Sequence, residues 1–584
     1  MKRNRLCRLA ALILALALLS GCGLTGPGPV ETADPAGEER VAAFREKAEA
    51  VRSAALADWV REELGENPAG EAGHTVFLSV CDGTKRASVY SGTGATPDAA
   101  WDAAAAAAER ALREGGPAPL WLKADLVYLS SPLSAQALEN IGEVFGAGGF
   151  RYGLALDPGY QNAFLEAELN SAGIYDYENG GVDLERLNSY LTGNGREALG
   201  ALPDQYIAFQ CAGWFCGEDG NVCQLILDEP GYGRRELAAV GGDTARALVL
   251  DGAEYLAGLV GEDGAVSTAG GEPLDAAGHA EVLSALIQGY ELKPDEALGG
   301  SIDRAASRLL AGIAYTDGGP AYVPDGGEIT LESCALSLIA LADCMEASGN
   351  TAYLPACEAL GAGILSLLDT ETGSFFQVLD AASLGRKEAF RSAAWDGMGV
   401  TALCRLYGLT ENSLWLWAAR LALDRMAAED YAQYADPWTS YAVRALTKHE
   451  QSQADYYVFA LTNAQRNLTA IYGSQTASPA GLELLMASYE AYRQMTAAGY
   501  SAGGFELELM LQVICARAVQ QIDGYLFPEY AMYMDRPREV LGAFMTREEG
   551  LRISPREICR NIRGYWMYAE NYDALVSDGM PVTG

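Results

Sequence analysis

Apolar positions fall into two regimes along this 584-residue chain. From about 74 to 237 they come in short alternating runs broken by helical stretches. Val76-Phe77-Leu78-Ser79-Val80 and Ala87-Ser88-Val89-Tyr90 flank Asp82-Gly83 as two strands of a hairpin would. Thr96-Pro97-Asp98 opens an Ala-rich helix over 99–113, with a cap residue followed by proline at the first helical position. The run 120–128 returns to strand, and 206–211 and 222–227 add further strands. The pattern predicts an α+β module over 74–237. The stretch 163–170 carries Glu166 and Glu168, two residues apart. Read as a helix, that spacing points the two carboxylates away from each other.

From about 241 the period becomes helical and stays so. Twelve segments are expected: 242–260, 275–293, 299–314, 329–348, 351–369, 390–408, 411–428, 436–449, 452–472, 479–498, 503–522 and 554–572. They alternate in character. The run 331–341 is apolar on most faces, as a helix enclosed on several sides must be, whereas Asp303, Arg304 and Arg308 give the third segment one polar face. Gly261-Glu262-Asp263-Gly264 and Thr370-Glu371-Thr372-Gly373 mark turns after outer helices. The enclosed helices begin near 275, 329, 390, 436, 479 and 554. Those steps are too uneven for a helical solenoid, whose repeats hold a period of roughly 34–47 residues.

Twelve helices in alternating enclosed and one-sided pairs, with Asp-Gly or Thr-Gly turns before a short extended piece, resemble the six-hairpin glycosidase-like (α/α)6 toroid. The resemblance covers about 240–575. The expected fold class is therefore an α+β N-terminal module followed by an all-α (α/α)6 toroid. The resemblance implies a site in a funnel at the end of the ring where the inner helices start, and a carbohydrate as the molecule acted on.

The first residues read differently. Lys2, Arg3, Arg5 and Arg8 precede an apolar stretch from Leu9 to Leu19 that is short for a membrane span, and Leu19-Ser20-Gly21-Cys22 follows directly. This looks like a bacterial lipobox, with 1–21 as signal peptide and Cys22 as the lipid attachment point; an ordinary signal peptide or a short uncleaved anchor is the alternative. Residues 22–73 are expected to form a tether and an exposed helix. The expected location is extracytoplasmic, lipid-anchored to the bacterial cell membrane.

The formal charge is −37, which repels phosphate backbones and argues against nucleic acid as a partner. Cys211, Cys216 and Cys223 cluster without the paired spacing or nearby His of a zinc site, so no metal is expected. A 211–223 or 216–223 disulfide is open, since export permits one. Cys334, Cys344, Cys357 and Cys404 sit on apolar helix faces and read as buried thiols. There is no phosphate-binding loop, GxSxG or HExxH motif, and no cofactor is expected.

The starts of the enclosed helices carry the candidate chemistry. These bring Asp275 and His279; Glu328 and Glu332; Arg391, Trp395 and Asp396; Tyr434, Asp436 and Trp438; Glu483; and Arg552, Arg556 and Glu557. Aromatic faces stack on pyranose rings and carboxylates accept from hydroxyls. Asp396, Asp436 and His279 are the candidate catalytic residues. Trp395, Trp438, Tyr434, Glu332, Glu483 and Arg556 are the candidate substrate contacts. A suitably spaced acid pair would suit glycosidic cleavage, and His or Tyr beside a carboxylate would suit epimerisation or elimination. Each acid also has a plain competing role. Asp275, Glu328 and Asp436 stand where helix N-caps are favoured, and His279 lies on the apolar stripe of Val282, Leu283 and Leu286. The expected function is a carbohydrate-active envelope lipoprotein, a hydrolase, lyase or epimerase. The alternative is a non-catalytic glycan-binding or scaffold lipoprotein.

Overall fold

A computed structural model describes residues 34–57, 73–134, 137, 151–176, 181–193, 196–227, 231–237, 240–387, 391–450, 454–474, 476–546 and 551–582. The signal segment, the lipobox and Cys22 lie outside these residues. Among the described residues, no helix is long and apolar enough to cross a membrane.

The N-terminal part is an antiparallel sheet with the order β2-β1-β3-β6-β4-β5. Its strands are β1 (His74–Cys81), β2 (Ser88–Gly94), β3 (Trp121–Ser134), β4 (Gly153–Ala155), β5 (Ala163–Phe164) and β6 (Gln205–Cys216), with β7 (Val222–Gln224) paired to β6. β1 is buried along nearly its whole length because both faces of the sheet are covered, which is why its sequence reads as a near-continuous apolar run. One face carries Val76, Leu78 and Val80 against α1 (Pro35–Ala55) and α2 (Pro97–Arg113). Thr96 caps α2 through the Ala99 amide at 3.2 Å, as the sequence signature requires. α1 was expected to be exposed. It instead buries Val41, Phe44, Val51 and Ala55, a stripe at helical spacing that the sheet and α2 cover.

The other sheet face packs Phe77, Phe209 and Phe215 against Met532 and Tyr533 of the helical part. Ion pairs bind the parts together, among them Arg234 to Asp523 at 2.5 Å, Arg235 to the fully buried Glu529 at 2.7 Å and, nearer the surface, Arg86 to Asp535 at 2.8 Å. At the same junction Lys123 Nζ lies 3.0 Å from Asp125 and 3.9 Å from Glu166, with the Tyr533 ring 5.3 Å away. Residues 163–170 split into β5 and the short helix α3 (Glu166–Ser171), and α4 (Leu184–Gly193) follows. Glu166 turns to Lys123 while Glu168 accepts from Tyr190 and the Leu165 amide, so the two carboxylates do serve separate partners. The disulfides left open by the sequence do not form. Every described cysteine is a free thiol, because β6 sets Cys223 opposite Phe215 rather than opposite Cys211 or Cys216.

From 242 onward, helices alternate in position. The outer ones are α5 (Gly242–Gly258), α7 (Glu296–Ala311), α9 (Leu354–Leu367), α11 (Ser413–Ala428), α13 (Ala454–Gln465) and α15 (Leu507–Gln521). The inner ones are α6 (Ala276–Leu292), α8 (Leu331–Ser348), α10 (Ala393–Thr410), α12 (Pro437–Thr447), α14 (Ala480–Ala497) and α16 (Pro555–Ser577). Each inner helix packs on the next, and α16 packs back on α6, so the six close a ring. Enclosure explains the composition: α8 buries residues around almost its full circumference, whereas α7 buries one stripe of Leu298, Ala305 and Leu309.

Candidate functional site

Near their starts, four of the inner helices, α6, α8, α14 and α16, are joined by ion pairs. Asp275 caps α6 through the Gly278 amide at 2.8 Å and holds Arg556, in the first turn of α16, at 2.7 and 2.9 Å. Arg556 also reaches Glu332 at 3.3 Å and Glu281 at 3.8 Å. Two turns further along α16, Arg563 donates to Glu483 at 2.7 Å and to Glu281 at 3.1 Å. Tyr441 donates to Glu483 at 3.2 Å, and Glu483 keeps its second oxygen, Oε2, buried and unpartnered. Burial pushes the Glu332 carboxyl up against the pull of Arg556. Burial and the Glu483 charge push the Tyr441 hydroxyl well above its ordinary value.

Beyond this ladder the ring is hollow. A cavity of about 800 Å³ is lined by residues of all six inner helices, mostly from their middle and later turns, with Trp438 from the first turn of α12, a volume within the usual range for small-molecule sites. Its floor is Glu281, Arg563, Tyr441 and Trp438. Trp438 is 7% exposed, stands edge-on to Tyr441 at 5.2 Å and carries the Arg563 guanidinium 5.8 Å from its ring centre. Gly397 lets α10 approach α12 there, since a Cβ at that position would meet the Trp438 carbonyl oxygen at 2.6 Å.

The walls are polar. Asp343 pairs with Arg405, which also reaches Glu346 at 3.1 Å, and Glu490 pairs with Arg444. Burial raises the Asp343 carboxyl, with Arg405 opposing it, and raises Glu291, where Asp343 adds to the effect. His449 rests edge-on against Tyr407 at 4.8 Å, its basicity lowered by burial. Among the described residues, no group of three or more His, Cys, Asp or Glu side chains is placed to hold a metal ion.

At the helix starts, where the sequence pointed, stands the ion-pair ladder, and the hollow is lined mostly by the turns that follow. Of the residues singled out from the sequence, Trp438 lines the cavity, while Glu332, Glu483 and Arg556 build the ladder beneath it. Asp436 caps α12 through the Trp438 amide at 2.8 Å, and burial raises its carboxyl to about 6, with Glu483 adding to the shift. Asp396 is buried outside the cavity lining, where it accepts from Gln377, Arg391 and Tyr431, each at 2.8 Å. Burial raises its carboxyl and Arg391 opposes the rise. His279 turns outward, donating to the Ala305 carbonyl of α7 at 2.9 Å, and burial lowers its basicity. Trp395 packs half-buried on the core, and Tyr434 is 56% exposed against Tyr431.

Sequence reasoning missed Glu281, Asp343, Arg405, Arg444, Glu490, Arg563 and Trp566. A signal was available. Glu281 and Asp343 fall among the apolar residues of enclosed helices, and an ionisable residue there requires a partner or a cavity.

No protein family matches the sequence, and no curated protein matches it. Solved structures with similar backbones include a cellobiose 2-epimerase from Spirochaeta thermophila, with TM-score 0.46 and 14% identity over 57% of this chain and 98% of that one. A sugar epimerase from a ruminal bacterium gives 0.45 and 13% over 56% and 98%. A D-mannose isomerase gives 0.43 and 9% over 57% and 97%.

Proposed function

We propose that the axial cavity binds a saccharide, and that the helical ring is a carbohydrate-active body of the (α/α)6 kind carried on an envelope lipoprotein. The carrying observation is the cavity floor and wall. Trp438, Tyr441 and Trp566 line a hollow that also presents carboxylates and guanidinium groups. A pyranose has the matching duality, with apolar C–H faces and a belt of hydroxyls. For turnover, Asp343 and Glu291 are the groups to bet on, because burial holds carboxyls toward the protonated form that a general acid needs.

One observation favours binding without turnover. Glu281 and Glu483 share Arg563, Asp343 is held by Arg405 and Glu490 by Arg444. A carboxylate committed to a guanidinium is poorly placed to exchange a proton with a substrate. The purified full chain, incubated with a panel of cell-wall and capsular glycans, separates the two readings. Loss of binding in Trp438→Ala supports the site. Product formation that disappears in Asp343→Asn supports catalysis, and binding with no product supports the second reading. A panel in which nothing binds removes both.

The lipoprotein part rests on the basic start, the short apolar run and Leu-Ser-Gly-Cys at 19–22. Labelled palmitate should enter the wild-type chain expressed in a bacterial host and not the Cys22→Ala variant. Equal labelling would remove the anchor.

A further inference from the structure

We infer that the ligand of this cavity is an uncharged saccharide, read through its hydroxyl groups by Gln288 and Trp566. The inference rests on the saccharide reading above and adds the charge class of the sugar and two residues that select it.

Charge is the first argument. The three guanidinium groups deepest in the lining are committed: Arg563 to Glu281 and Glu483, Arg405 to Asp343 and Glu346, and Arg444 to Glu490. A uronate or sulfate entering the hollow would have to displace a carboxylate from one of them. The inner helices also turn their C-terminal ends to this side, adding partial negative charge. The remaining cations of the lining, Lys448 and Arg493, are exposed near the ends of α12 and α14 rather than deep in the cavity.

The second argument is the set of unmet polar atoms. Four buried side-chain atoms of lining residues have no hydrogen-bond partner: Arg405 Nε and Glu490 Oε2, whose groups stand in ion pairs, and the neutral Gln288 Oε1 and Trp566 Nε1. The neutral two belong to α6 and α16, the neighbouring helices that close the ring. One is a neutral acceptor and the other a neutral donor. Buried polar atoms are nearly always satisfied, so an unmet pair in a cavity wall calls for a partner that enters the cavity. A hydroxyl gives and takes a hydrogen bond and can meet either atom once its side chain turns that atom to the cavity. A carboxylate or sulfate oxygen only accepts and would oppose Gln288 Oε1, and an ammonium only donates and would leave Trp566 Nε1 unmet.

Calorimetric titration of the full chain tests this with tetrasaccharides of glucose, mannose and N-acetylglucosamine as neutral probes. Oligogalacturonate serves as the acidic probe and a glucosamine tetramer as the basic one, each at low and high salt. The expected result is a neutral tetramer bound tightest, with little salt dependence. Gln288→Met and Trp566→Phe, which keep size and ring while removing the polar atom, should each weaken that binding about fivefold at unchanged Tm. Tighter binding of either charged tetramer overturns the inference while leaving the saccharide site standing. So does wild-type affinity in both variants. Failure of every tetramer to bind overturns the saccharide reading, and this inference with it.

Discussion

Arg556 and Asp275 stand 281 residues apart in the chain and meet as a two-pronged ion pair at 2.7 and 2.9 Å. One residue caps the first inner helix and the other opens the last, so their contact is where the ring of helices closes. Arg556 continues to Glu332 and Glu281, and Glu281 to Arg563 and Glu483. The start of four different inner helices is thereby tied to one axial ladder, which forms the underside of the cavity.

Arg563 is the part of that ladder whose loss should be felt most. Replacing it with Leu leaves Glu483 buried with no cation and Glu281 with only the more distant Arg556. Removing one side of a buried pair costs about 3–5 kcal/mol, because the stranded charge is the expense. Urea denaturation should show that loss in Arg563→Leu, and the triple variant with Glu281→Gln and Glu483→Gln should recover most of it. A single variant as stable as wild type would mean the ladder does not support the fold.

Asp396 is predicted to act in folding rather than in the ligand site. Its oxygens are taken by Gln377, Arg391 and Tyr431, which tie the loop before α10 and the turn before α12 to that helix. Asp396→Asn should lower stability by about 1–3 kcal/mol, the cost of weakening charge-assisted bonds at a buried site. Glycan affinity should stay within about twofold of wild type. Lost affinity at unchanged Tm would return Asp396 to the site.

Asp436 gives a pH dependence with a definite sign. Its folded carboxyl is raised to about 6 from an ordinary 3.8, chiefly by burial. Between those values the folded chain binds the proton that the unfolded chain has released, so this group makes stability fall as pH rises from about 4 to 6. Asp436→Asn keeps a good cap and removes the titration. The urea midpoint of the variant should decline less over that window than the wild type's; parallel curves would contradict the assignment.

The sheet and the ring are predicted to come apart more easily in Glu529→Gln. Glu529 is fully buried and takes three donors from Arg235: its amide, Nε and a terminal guanidinium nitrogen. The neutral side chain leaves that guanidinium without its counter-charge. Limited proteolysis at increasing urea should release the sheet part before the ring unfolds, whereas in the wild type both should resist together. Identical digestion would show that the junction does not depend on the Glu529 charge.

The fold was legible where its cause was local. Helix spacing marked the twelve helical segments, Thr96 marked the start of α2, and the strong apolar runs marked β1, β3 and β6. Polarity of the first helix misled, because a stripe as narrow as Val41, Phe44 and Val51 has no visible partner until the sheet is built. The site was legible only in part. Trp438 was legible as an aromatic residue at the start of an enclosed helix. Asp343 and Arg405 were not, since their meaning depends on two helices meeting 62 positions apart. His279 and Asp396 drew attention by residue type, but their direction is set by which side of the inner helix faces an outer neighbour, and no single segment records that.

Crystals soaked with the tightest-binding neutral tetrasaccharide test the central claim most directly. The account predicts ligand density inside the ring, one sugar face against Trp438 and its hydroxyls reaching the α6–α16 wall. Density confined to the loops beside Tyr434 and Trp395, or an empty ring at saturating ligand, would contradict it.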